Sequence, residues 1–366
     1  MTSLDDLPLR DDLRGLVPYG APQESVPIAL NVNENTHPIP EAVAQHIVVA
    51  LAEQIVGINR YPDREFTALR DALARYLGHG LSRDNVWAAN GSNEVLQHIL
   101  QAFGGPGRSV LGFPPTYSMH SILASGTGTR WVTGARTESY EITIDAVQDA
   151  IAEHRPDIIF FCSPNNPTGT KLASAVIEAA YEATSGIIVV DEAYTEFAHD
   201  PQASALSLLP GRPRLIISRT MSKAFAFAGA RVGYLAADPA VVDAMRLVRL
   251  PYHLSALTQA AACAALDHTA DMLSMVDDIR HQRDRLLEEL PRLGYTVWPS
   301  EANFVLFGNV ADPHDTFTRL LAEGIIIRDL GIPHHLRVTA GTAAETTAFL
   351  DALGRLGGAL DGGGTR

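Results

Sequence analysis

Lys223 stands out first by its type. Only two of the 28 basic side chains are lysine, Lys171 and Lys223, and the rest are arginine. A desolvated lysine can lose its proton and attack a carbonyl, whereas arginine stays protonated. Lys171, after the turn in NPTGTKLA, reads as an ordinary surface cation. Lys223 lies in SRTMSKAFAFAGARVGYLA, an apolar stretch with no acid close to it in sequence. That setting suits an amine kept for chemistry.

Other polar groups stand directly after apolar runs, where open α/β sheets place their ligands. NGSNE follows VWAA and sets Ser92 and Asn93 at the start of a helix, where free amides and the helix dipole make a seat for a phosphate. SRTMSK adds Thr220 and Ser222 after RLII, and Arg231 offers a fixed cation for the same anion. DEAY puts Asp191 at the end of GIIVV, where a buried carboxylate is costly unless a cation pairs with it. Asn166 in SPNNPTG and Tyr194 in DEAY offer hydrogen bonds to a ring hydroxyl. Taken singly, each of these groups reads equally well as a cap, a turn or a strand-edge cation. Together they describe a phosphate seat, an acid for a pyridinium nitrogen, partners for a phenolic oxygen and an amine for an aldehyde. Pyridoxal 5'-phosphate carries all four complements.

Elements able to hold these groups follow from hydrophobic periodicity. The proline-rich residues 1–40 read as an extended N-terminal arm. From residue 41 to 255, short apolar runs alternate with helical patterns, and DIIFF and GIIVV are apolar throughout, as strands buried on both faces require. This predicts a large, mostly parallel α/β domain. Residues 256–355 change to long helices and short strands, predicting a smaller α+β domain, and residues 356–366 read as a mobile tail.

Composition limits the partners. A formal charge of −14 argues against nucleic acid, whose phosphates call for a basic face. No apolar run approaches membrane-spanning length, and two cysteines, Cys162 and Cys263, cannot build a disulfide framework. A cytoplasmic protein is expected. No metal-ligand spacing is present, so no metal is expected.

RYPD, NGSNE, SPNNPTG, DEAY, SKAFAFAGARVGY and LRVTAG, in that order, resemble the fold-type I aminotransferases, and among them the histidinol-phosphate aminotransferases. The resemblance runs from about Leu7 to about residue 350. It implies that Lys223 bonds the cofactor aldehyde, that Asp191 meets the ring nitrogen, and that Asn166 and Tyr194 meet the ring hydroxyl. Tyr117 of PPTYSMH would stack on the ring, while Ser92, Asn93, Thr220, Ser222 and Arg231 would hold the phosphate. Tyr61 of RYPD would reach that phosphate from a neighbouring subunit, which requires a homodimer. Arg337 would bind a substrate carboxylate and Arg328 a substrate phosphate, with Tyr19 and Asn33 closing over the substrate. The implied reaction moves an amino group between L-histidinol phosphate and 2-oxoglutarate in L-histidine biosynthesis. An aminotransferase for phenylalanine or tyrosine is the alternative. Thr36 in NENTHP departs from the resemblance, since proline commonly stands there, and His120 is not assigned by it.

Overall fold

The structure is a computed structural model that describes residues 3–15, 17–20, 22–200, 202 and 204–357. Most of the expected tail lies outside the described residues. The arm carries a short strand, β1 (Ile28–Ala29), and is followed by two helices, α1 (Glu41–Ile55) and α2 (Thr67–Leu77).

Alternating elements then build the large sheet. In chain order they are β2 (Val86–Ala89), α3 (Ser92–Phe103), β3 (Ser109–Gly112), α4 (Met119–Gly126), β4 (Arg130–Thr133), α5 (Ile144–His154) and β5 (Ile158–Cys162). They continue with α6 (Ser174–Ala183), β6 (Ile187–Asp191), β7 (Leu215–Thr220), β8 (Gly233–Ala237) and α7 (Pro239–Val248). The seven strands lie in the order β2-β8-β7-β6-β5-β3-β4. The pairings among β4, β3, β5, β6 and β7 are parallel, and β8 runs against both its neighbours. Every residue of β5 and β7 is buried, which is why their sequences carry no polar alternation. Because the parallel strands end on one side, Cys162, Asp191 and the Thr220–Lys223 turn arrive at the same edge. The α/β architecture is as expected.

Beyond α8 (Ala256–Asp267) runs the 24-residue α9 (Thr269–Arg292). A second sheet follows, from β9 (Thr296–Val297), β10 (Phe304–Gly308), α10 (Pro313–Ala322), β11 (Ile325–Ile326), β12 (Arg328–Asp329), β13 (Leu336–Thr339) and α11 (Ala343–Leu356). Its order is β12-β13-β10-β9, all antiparallel. The run GIIIRDL, which reads as one strand, is split. β11 pairs in parallel with β1 of the arm, and β12 turns to β13. The arm is thereby tied to the C-terminal part of the chain, with Thr339 N donating to Leu30 O at 2.9 Å. α8, which the sequence groups with the C-terminal elements, packs on α1 and α2. Among the described residues, no helix is long and apolar enough to cross a membrane.

Candidate active site

An inner cavity of about 160 Å³ opens at the ends of β5, β6 and β7. Ser92, Asn93, Tyr117, Asp191, Tyr194, Thr220, Ser222, Lys223 and Arg231 line it, together with Cys162. Nine residues expected around one cofactor are therefore brought together from five separate segments.

The seat at the start of α3 is shaped by two glycines. Gly91, the residue before the helix, has φ +85 and makes no side-chain cap, so the first amides of α3 are left for another acceptor. The guanidinium of Arg231 lies where a Gly91 Cβ would go, 2.4 Å from that position. A Cβ on Gly233 would stand 2.1 Å from Ser92 N, so only glycine lets β8 approach the helix start so closely. Ser222 N donates to Thr220 Oγ1 at 3.1 Å, and Arg231 Nη1 donates to Ser222 Oγ at 3.4 Å. Amides, hydroxyls and one guanidinium converge, a donor set for a dianion.

At the other end of the cavity Asp191 is 1% exposed. Its Oδ2 lies 3.2 Å from His120 Nε2, and its Oδ1 is buried with no hydrogen-bond partner. A buried carboxylate oxygen without a partner is costly unless a donor arrives. A protonated ring nitrogen is such a donor. His120 sits behind the acid on α4, edge-on to Phe160 and Tyr117. Sequence reasoning left it unassigned, because the two residues are 71 positions apart and share no motif.

Tyr194 OH accepts from Asn166 Nδ2 at 3.2 Å and from Asn33 Nδ2 at 3.1 Å. Burial pushes the Tyr194 phenol well above its ordinary pKa, so it remains a neutral donor. Tyr117 OH donates to Asn93 Oδ1 at 3.1 Å, which ties the ring wall to the seat. Lys223 Nζ donates to Val32 O at 2.9 Å and lies 5.9 Å from the Tyr194 ring centre. Burial, aided by Arg337 and Arg231, draws its pKa down to about 8, with Glu34 opposing. Such an amine is available as a nucleophile near neutral pH.

An outer cavity of about 400 Å³ shares Tyr117, Tyr194 and Lys223 with the inner one. It adds Tyr19, Asn33, Asn166, Arg328 and Arg337. Arg328 and Arg337 are directly paired across β12 and β13. Like charges in that position repel. Burial and Arg328 lower the Arg337 pKa to about 10, although the Tyr194 phenol opposes this. Arg337 reaches only neutral acceptors, Asn166 Oδ1 at 2.6 Å and Asn31 O at 2.7 Å, and its Nε is buried without a partner. Neither arginine has a carboxylate partner among the described residues. Asn31 was not anticipated, since a backbone acceptor leaves no trace in residue type.

Asn33 adopts the left-handed region, φ +57, and exchanges bonds with Thr339 Oγ1 at 3.1 Å. The arm thus delivers one side chain directly to Tyr194. Tyr61 is the one expected residue that lines neither cavity: it is 80% exposed and stacks on Tyr252, with ring centres 4.4 Å apart. Thr36 Oγ1 is buried without a partner, and no contact in the structure explains why threonine stands there. Among the described residues no His, Cys, Asp and Glu group could hold a metal ion.

Comparison with known proteins supplies the family. The family model for aminotransferase class I and II matches residues 25–353, and the chain belongs to that family. Within it, the chain is 62% identical over 362 residues to the histidinol-phosphate aminotransferase of Paenarthrobacter aurescens (strain TC1), covering 98% of this chain and 96% of the relative. The histidinol-phosphate aminotransferase of Thermobifida fusca (strain YX) is 57% identical over 351 residues, 96% of each chain. Among solved structures, histidinol-phosphate aminotransferase from Sinorhizobium meliloti in complex with pyridoxal-5'-phosphate superposes with a TM-score of 0.82 at 25% identity, covering 91% of each chain.

Proposed function

We propose that this protein transfers an amino group between L-histidinol phosphate and 2-oxoglutarate, giving imidazole acetol phosphate and L-glutamate, as a step of L-histidine biosynthesis. Pyridoxal phosphate is the cofactor. The carrying observation is the pair Arg328 and Arg337, facing each other without a carboxylate in the cavity that continues past Lys223. Two adjacent guanidinium groups relieve their repulsion by binding an anion, and both amino donors bring one. The names of two relatives, 62% and 57% identical to this chain, support the same substrate.

The positions of the residues support a role for each. Ser92, Asn93, Thr220, Ser222 and Arg231 would hold the cofactor phosphate. Asp191, steadied by His120, would hold a proton on the ring nitrogen, Asn166 and Tyr194 would hold the ring oxygen, and Tyr117 would cover the ring. When bound, the cofactor supplies an aldehyde and an electron-withdrawing ring that acidifies the hydrogen on the substrate's amine-bearing carbon. Lys223 Nζ would hold the cofactor through its aldehyde and would move that hydrogen, as a base and then as an acid. Arg337 and Arg328 orient the substrate by its carboxylate or phosphate. Tyr19 and Asn33 of the arm shield the pocket from water.

The working unit in this reading is a cytoplasmic homodimer. Val48, Val49, Ile55, Val56 and Ile58, on and just after α1, are all exposed, as are Leu247 and Leu250 at the end of α7. So much exposed apolar surface supports an association face, and Tyr61 on that stretch would complete the partner's phosphate seat. Residues 1–40, 41–255 and 256–355 act as arm, large domain and small domain.

The deciding assay is a steady-state comparison of histidinol phosphate and phenylalanine as donors to 2-oxoglutarate. A strong preference for histidinol phosphate is expected. Equal or faster turnover of phenylalanine would overturn the assignment.

A further inference from the structure

RLPYHLS, residues 249 to 255, joins α7 to α8 and takes no part in the chemistry above. Tyr252 has φ +60 and stacks outward on Tyr61. The next residue points the other way. The His253 ring lies 5.5 Å from the buried Trp87 indole with 13° between their planes, and meets Phe66 and His98 edge-on.

β2 is the edge strand of the large sheet, so alternate carbonyls face away from β8 with no strand to receive them. Side chains meet them instead. Val86 O accepts from Arg70 Nε at 2.9 Å and, two residues on, Ala88 O accepts from His253 Nε2 at 2.9 Å. A carbonyl can only accept, so Nε2 carries the proton. Burial holds the imidazole below its ordinary pKa, which favours this neutral form. Asn90 Nδ2 closes the link by donating to His253 O at 2.9 Å, while Asn90 N donates to Glu94 Oε2 at 2.5 Å. Gly91, Ser92 and Asn93 come directly after. β8 fixes one side of this segment through Gly233, and His253 fixes the other.

We propose that His253 is a positioning residue for the cofactor phosphate. Its bond to Ala88 O, with the return bond from Asn90, sets where the Ser92 and Asn93 amides point. The inference rests on the reading that the phosphate sits at the start of α3.

Two substitutions separate the hydrogen bond from the ring. His253→Phe keeps an aromatic face against Trp87 and deletes the donor, whereas His253→Gln deletes the ring and keeps an N–H at similar reach. Apo-protein is titrated with pyridoxal phosphate and separately with pyridoxal, which lacks the phosphate, and the absorbance of the lysine-bound chromophore is followed. The Phe variant should bind pyridoxal phosphate about tenfold more weakly, the effect of one lost hydrogen bond, with pyridoxal binding unchanged. The Gln variant should regain most of the loss. Equal weakening of both vitamers, no weakening in the Phe variant, or a Gln variant as weak as Phe would overturn the proposal. Should the Phe variant fail to fold, the Gln variant decides: a native-like preference for the phosphorylated vitamer supports the role and a lost preference refutes it. Native protein that bound both vitamers equally would instead sink the phosphate assignment itself.

Discussion

Asp191→Asn is nearly isosteric and removes one charge from the bottom of the inner cavity. In the protein without cofactor the carboxylate has little to lose, because among the described residues its one side-chain hydrogen bond is to His120 at 3.2 Å and its other oxygen has no hydrogen-bond partner. An amide can keep one bond to His120, so the change in apo-protein stability should stay within about 1 kcal/mol, a shift of roughly 2–4 °C in melting temperature. The loaded enzyme is different, because removing one partner of a buried charge pair costs about 3–5 kcal/mol. If that loss falls on the transition state, turnover drops by at least about 100-fold. Thermal melting of the apo-protein and single-turnover rates with histidinol phosphate measure the two halves independently. A variant turning over within about tenfold of native would show that the acid does not serve the ring nitrogen. A large loss of apo stability with turnover intact would mark Asp191 as a structural acid.

Replacing Arg337 or Arg328 by Met should weaken both half-reactions, by about 10- to 100-fold in kcat/KM for glutamate and for histidinol phosphate, since one charge-assisted contact is lost in each; pre-steady-state rates with either donor check this, and unchanged values would remove the arginines from the substrate site. Lys223 has its pKa lowered to about 8 in the folded protein, so between about pH 8 and its ordinary 10.5 the unfolded chain binds the extra proton and this group's contribution to stability rises with pH. Lys223→Met apo-protein should therefore exceed native stability most below about pH 8, with the gap closing towards pH 10.5; denaturant melts across that range test it, and a constant gap would contradict it. Tyr61→Ala and Lys223→Ala variants should each be impaired alone but regain about a quarter of native activity when mixed and allowed to exchange subunits, since half the dimers then hold one complete site. No recovery would argue against a shared site.

Much of the candidate site was legible because its polar groups coincide with the pattern of the sheet. Asp191 and Thr220 sit where apolar runs stop, and parallel strands bring such stops to one edge. Lys223 was legible because lysine is so scarce that its retention called for a chemical reason. His120 and His253 were not, since each acts across a long sequence separation on a partner, a carboxylate oxygen and a backbone carbonyl, that no local pattern marks. The arm reads as extended, but its two-residue pairing with β11 is too short to show as a strand period. The same pairing explains why GIIIRDL divides between two sheets. α8 shows the limit of reading elements in order, because its small-residue face turns back onto α1 and α2 instead of following its successors.

One amine carries the cofactor in the function proposed above. Holoenzyme reduced with borohydride and digested should yield the pyridoxyl group on the peptide containing Lys223, one of just two lysines in the chain. Lys223→Ala should then show neither the yellow band nor the label. Label on Lys171, or a native absorbance band in the Lys223→Ala protein, would refute the assignment of Lys223.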